Sequence, residues 1–178
     1  MSTPLTHPER VAVARLHALL ELLPTALDKR LHQGGVTAFE HTLLDTLAEH
    51  EGQRMRLSAL AHKTNATLPR ISRVATSLER RGLIERTPCP EDGRATNATL
   101  TELGATTHEL SRTLYADAVR ELVLEGLAQL PGDGVAQLSE LTLAVLTSLD
   151  TERTQTQACA ADPREPVAEP TECAADPA

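Results

Sequence analysis

The 178-residue sequence is nearly devoid of aromatic side chains: Phe39 and Tyr115 are the only two, and there is no Trp. A core must then come from Leu, Val, Ile and Ala, which favours packed helices over a β-sandwich. Long apolar runs are missing as well. Arg15, His17 and Glu21 interrupt even the greasiest stretch, residues 11–23, so nothing approaches the roughly 18 uncharged residues of a membrane span. No membrane partner is expected. The three cysteines, Cys89, Cys159 and Cys173, are odd in number and include no C-x-x-C pair, which speaks against a disulfide scaffold. The first ten residues lack the cationic start and apolar segment of a secretory signal, so a cytoplasmic location is expected. Phosphate-binding loops, dinucleotide fingerprints, nucleophile elbows and H-E-x-x-H motifs are all absent. Neither turnover nor a cofactor is expected.

What is present is charge in an uneven arrangement. The net charge is −8, yet residues 53–94 hold nine cations against four anions, a local +5, and the rest of the chain sums to −13. A basic segment inside an acidic chain suits a localised phosphate contact and limits binding elsewhere on the surface. Taken alone, this charge is equally compatible with a solvated face.

Hydrophobic spacing supplies the framework. Val13, Leu16, Leu20, Leu23 and Leu27 form one stripe of a helix over about residues 8–31, with Pro24 expected to kink it and Gly34-Gly35 to end it. Phe39, Leu43, Leu44 and Leu47 mark a second helix closing near Gly52, and both stripes are expected to face the interior. Met55 to Leu57 reads as a short strand, and Ser58 is placed to cap a brief helix ending near Asn65. Thr67 can cap the next helix, residues 67–81, with Pro69 tolerated in its first turn. On that helix Ile71, Val74, Ala75 and Leu78 gather on one side, opposite Pro69, Arg73, Thr76 and Arg80, with Arg70, Ser72 and Ser77 flanking the outer face. Residues 83–87 and 95–100 read as strands around an Asp92-Gly93 turn. Thr101 can cap a long helix carrying Leu103, Leu110, Leu114, Ala118 and Leu122, and residues 131–134 separate it from a last helix with Leu138, Leu141, Val145 and Leu149.

Two short helices followed by a basic hairpin describe a winged helix-turn-helix. The fold expected is mainly α with a small β-hairpin wing. Arg73 can read a guanine edge bidentately, while Thr67, Pro69, Arg70, Ser72, Thr76 and Ser77 line the same approach. Arg80, Arg81 and Arg86 suit backbone phosphate, and Arg94 has the reach to enter a narrow minor groove. Asp92 would repel phosphate, so its expected role is to orient the wing through Arg86 or Arg94. The alternative from another class is a winged-helix module that binds an acidic protein partner.

The ordered series Leu60-Ala61, Ile71-Ser72-Arg73-Val74, Leu78 to Arg86, Asp92-Gly93-Arg94 and Leu100-Thr101-Glu102-Leu103-Gly104 resembles the MarR family of bacterial transcriptional regulators over about residues 10–150. That resemblance implies a DNA-binding lobe over about residues 38–104 and helical dimerisation arms over about 8–31 and 101–150, within a domain covering residues 1–151. It also implies a homodimer, double-stranded DNA carrying a palindromic operator as partner, and a small-molecule inducer that relieves repression. A thiol- or metal-responsive variant of the same class is the further alternative. Against it, Cys89 sits in the wing between two prolines and reads as an exposed loop thiol without a role. His41, Glu40 and His108 are similar to part of a zinc site, but Arg112 stands where a further His would help, so no metal is expected. His17 suits either a ligand cavity or an interface. Residues 152–178, rich in Ala, Pro, Glu and Thr with Val167 as their only large aliphatic residue, are expected to form a disordered acidic tail.

Overall fold

A computed structural model describes residues 3–89 and 95–160. Its described residues form two compact units, one up to Leu122 and one from Val123 onward. The first begins with α1 (His7–Leu31), whose N-cap Thr6 and Glu9 close a capping box. Pro24 lies inside α1 without ending it. A 3₁₀ turn, His32–Gly34, and Gly35 at φ 73° lead into α2 (Ala38–Ala48), where Thr37 and Glu40 form a second capping box. After a 3₁₀ turn at Glu51–Gln53 come β1 (Arg54–Arg56), α3 (Leu57–Lys63) and α4 (Leu68–Arg80). The turn between α3 and α4 places Asn65 at φ 51°, a conformation its short polar side chain tolerates. β2 (Ile84–Pro88) and β3 (Thr96–Leu100) follow, then α5 (Glu102–Val119), which runs on into a π-helical stretch, Arg120–Leu124.

The strands form one antiparallel sheet in the order β1-β3-β2, with Ala98 opposite both Met55 and Arg86. The hairpin thus gains a third strand, because the residues just before α3 pair with its inner edge. Leu31, Leu43, Leu44, Leu47, Leu60, Ile71, Leu78 and Ala98 are fully buried around one core, each large aliphatic side chain contributing about 1.5–3 kcal/mol. The family-like winged-helix architecture is therefore present: mainly helical, with a small three-stranded sheet.

Several local expectations need correction. On α1 only Leu27 and Leu31 are buried, whereas Val13, Leu19, Leu20 and Leu22 are exposed, since the helix extends past the core that covers its last turns. Arg56 rather than Ser58 is the N-cap of α3, and it makes no side-chain cap bond. Thr67 occupies the N-cap position of α4 but also makes no side-chain cap bond.

The second unit holds α6 (Glu125–Leu127) and α7 (Gly134–Ala160). Asp133 Oδ1 accepts from the amides of Val135 and Ala136, both at 3.0 Å, and so caps α7. That helix continues ten residues beyond the expected end near residue 150, because no Pro or Gly occurs after Gly134 until Pro163. Residues 161–178 and the wing tip, residues 90–94, lie outside the described residues. No described helix is long and apolar enough to cross a membrane.

Candidate nucleic-acid interface

The two sides of α4 differ sharply. Ile71, Ala75 and Leu78 are fully buried, which fixes the rotation of the helix and turns Arg73 and Arg80 outward, where both are exposed. Thr67, Pro69 and Arg70 are exposed in and before the first turn, and Ser72, Thr76 and Ser77 are half-buried along the flanks. The Thr76 hydroxyl donates to the Ser72 carbonyl at 2.9 Å, leaving its oxygen free to accept. The Arg70 guanidinium lies over the Phe39 ring at 3.8 Å from its centroid, so one of the two aromatics pins this side chain by a cation–π contact. No described residue hydrogen-bonds or ion-pairs with Arg73 or Arg80. Their positive ends face solvent.

The other arginines differ. Arg86 donates from Nε to Glu79 Oε2 at 2.8 Å, with Nη2 at 2.6 Å from the same oxygen. Its hydrogen bond holds the Glu79 carboxyl below the usual carboxylate range. Arg81 pairs within the chain: Nη1 donates to Glu40 Oε1 at 2.9 Å and Nη2 to the Gly35 carbonyl. Its side chain keeps 36% exposure, so it meets solvent already paired, at the point where the end of α4 comes near the start of α2. Asp92 and Arg94 lie outside the described residues.

Comparison with known proteins matches residues 36–96 to the family model for the MarR family. AbsC, a MarR family transcriptional regulator from Streptomyces coelicolor, aligns with TM-score 0.75 and 29% identity over 84% of this chain and 99% of its own. Sco3205, a MarR family transcriptional regulator from the same organism solved in complex with DNA, aligns with TM-score 0.76 and 28% identity over 84% of this chain and 92% of its own. A mutant MarR from E. coli, complexed with operator DNA, aligns with TM-score 0.66 and 26% identity over 80% of this chain and 99% of its own. No curated protein matches the sequence. The segment similar to the MarR family model contains α2 to β2, including the whole outward face of α4.

Two features of the fold escaped sequence reasoning. The first is the pairing of Arg81 with Glu40 and Gly35. The second is a buried polar chain between α2 and α5: His41 Nδ1 lies 2.9 Å from Ser111 Oγ, whose hydroxyl donates to the His108 carbonyl at 2.9 Å, and His108 Nε2 lies 2.8 Å from Asp45 Oδ1. With the Ser111 proton committed, His41 donates from Nδ1. The two imidazoles stack at 5.7 Å, and Tyr115 lies 4.6 Å from His41 between ring centroids. His41 and Asp45, four residues apart, and His108, Ser111 and Tyr115, three and four apart, share helix faces; that spacing was the available signal. Among the described residues no group of three or more His, Cys, Asp or Glu side chains could hold a metal. His17 is exposed on α1. Cys89, expected in an exposed loop, is buried, with Arg56 Nη2 at 3.2 Å from its Sγ, because its amide donates to the Ala95 carbonyl at 2.8 Å and extends the hairpin pairing.

Proposed function

We propose that this protein is a sequence-specific DNA-binding transcriptional regulator, acting as a homodimeric repressor of a palindromic operator, with a small molecule relieving repression. The observation that carries this is the outward face of α4: Arg73 and Arg80 exposed, opposite the buried Ile71, Ala75 and Leu78, on a segment similar to the MarR family model. A helix of this kind fits the major groove, where Arg73 suits a guanine edge and the Thr67, Pro69, Arg70, Ser72, Thr76 and Ser77 surroundings suit bases and phosphates. Arg80 is assigned to phosphate, Arg94 to the minor groove, and Arg86 to phosphate in competition with Glu79. Asp92 is assigned to wing orientation.

Two copies joined through the helices outside the lobe would set their α4 helices about one duplex turn, roughly 34 Å, apart. An inducing ligand must prefer a spacing the operator cannot accept, since equal affinity for both spacings shifts nothing. The chain acts by binding rather than by turnover, in the cytoplasm, and needs no cofactor. Genomic fragments retained by the purified protein, followed by footprinting, test the reading. The expected result is symmetric protection of one palindrome and a steep loss of affinity between about 50 and 200 mM salt. Equal affinity for scrambled DNA, or capture of an acidic protein with no DNA retained, overturns it.

A further inference from the structure

Arg81, the C-cap of α4, joins three elements through one guanidinium. Nη1 reaches Glu40 Oε1 at 2.9 Å and Nη2 reaches the Gly35 carbonyl. Glu40 is only 12% exposed in its side chain, and its other oxygen accepts from the Thr37 amide at 2.9 Å, in the first turn of α2. Gly35 stands at φ 73° in the joint between α1 and α2. That joint is further tied to α1 by Asp28, whose Oδ1 accepts from the Ala38 amide at 2.7 Å. The joint between α1 and α2, the start of α2 and the end of α4 therefore meet on Arg81. Charge-assisted bonds to a carboxylate and a carbonyl use the planar fork of arginine, which a lysine ammonium does not reproduce.

Where this clamp sits gives it leverage. It grips α4 at its C-terminal end, roughly 12 Å along the helix axis from Arg73, the group assigned to a base edge. A swing of about 10° at the clamp therefore moves the helix at Arg73 by about 2 Å, more than half of the roughly 3.4 Å base-pair step. We infer that Arg81 is a positioning residue for operator binding: through Glu40 and Gly35 it fixes α4 relative to α1, and so sets the half-site spacing that the protein accepts. This rests on the dimeric-operator reading above and adds the residue that determines spacing.

The test uses the full chain and the operator selected by the wild type, together with versions carrying one base pair more or fewer between half-sites. Wild type is expected to lose at least about tenfold in affinity on either altered spacing, the lower bound set by one mismatched contact per lobe. Arg81→Ala binds the best operator more weakly, and its penalty for altered spacing shrinks to about threefold or less, while the slope of affinity against salt stays that of wild type. Arg81→Lys does not restore the penalty. Glu40→Gln keeps the capping box of α2 but removes the charge; it shifts the spacing profile the same way and serves if Arg81→Ala fails to fold. Arg80→Ala, in contrast, lowers the salt slope and keeps the spacing optimum. A full spacing penalty in Arg81→Ala and Glu40→Gln overturns the inference, as does a salt slope in Arg81→Ala reduced like that of Arg80→Ala. A wild type without any spacing optimum sinks the dimeric-operator reading itself, and this inference with it.

Discussion

Arg73 and Arg86 carry the same charge in opposite circumstances. A phosphate or base approaching Arg86 must displace Glu79, whose carboxylate already holds the guanidinium at 2.6 and 2.8 Å; no described residue competes for Arg73. Arg73→Ala is therefore expected to cost about 1–3 kcal/mol of operator binding and to relax base preference at one position per half-site, read by titrating single-base operator variants. Glu79→Gln weakens the hold on Arg86, so affinity for any duplex should rise and the salt slope should steepen by about 1 per lobe. An unchanged slope would remove Arg86 from the interface. His41 illustrates a titration governed by burial. Desolvation lowers its pKa from the ordinary 6.5, reinforced by His108 and opposed by Asp45. The unfolded chain takes up that proton first as pH falls below 6.5, so the folded state loses stability from there down through the lowered value, by at most about 1.4 kcal/mol per pH unit. Urea midpoints at successive pH values should show this loss in wild type and a smaller one in His41→Gln.

At the scale of elements, the join between the β2–β3 hairpin and α5 carries the tightest constraint. The Thr101 hydroxyl donates to the Gly82 carbonyl at 2.6 Å and accepts from the Gly104 amide at 3.0 Å, so one side chain both caps α5 and ties it to the end of α4. A Cβ on Gly104 would lie 1.9 Å from the Leu83 carbonyl oxygen, far inside any non-bonded contact a Cβ can make. Gly104→Ala in an ordinary helix would gain about 1 kcal/mol; here it should cost about 3 kcal/mol, as overpacking does, measured by urea unfolding. The Thr101 cap and the apolar side of α4 were legible in the sequence, because each depends on neighbours within a turn or two. What was not legible depends on distant partners. The pairing of Arg81 requires Glu40, 41 residues upstream, and the short strand read around Met55 finds its place in the sheet only by meeting Ala98. The burial of Cys89 requires the hairpin pairing that draws its amide to Ala95.

The whole molecule leaves apolar surface uncovered in both of its units. On α1, Val13, Leu19, Leu20 and Leu22 are 42–69% exposed; on α7, Leu141, Leu143, Leu146 and Leu149 are 47–65% exposed. Scattered leucines need no explanation, but several on one helix mark a surface that another molecule covers. The α1 stripe was legible from its three- and four-residue spacing; that its first turns extend past the core of the first unit was not, since periodicity reports a face and not what meets it. A second copy is the occupant the proposed function requires, and it divides the C-terminal region in two. Residues 153–178 carry no Leu, Ile, Phe or Met, so a chain ending at residue 152 has lost almost no surface that could pack. That truncation is expected to keep both the sedimentation behaviour of the full-length protein and its operator affinity. Leu20→Glu combined with Leu143→Glu places charge where desolvated contact is needed, and should shift the protein to monomer at micromolar concentration with loss of operator binding. The winged-helix lobe, whose buried core includes neither of these residues, should retain its urea midpoint. Dimer retained by the double substitution, or lost on truncation, would place the pairing surface elsewhere.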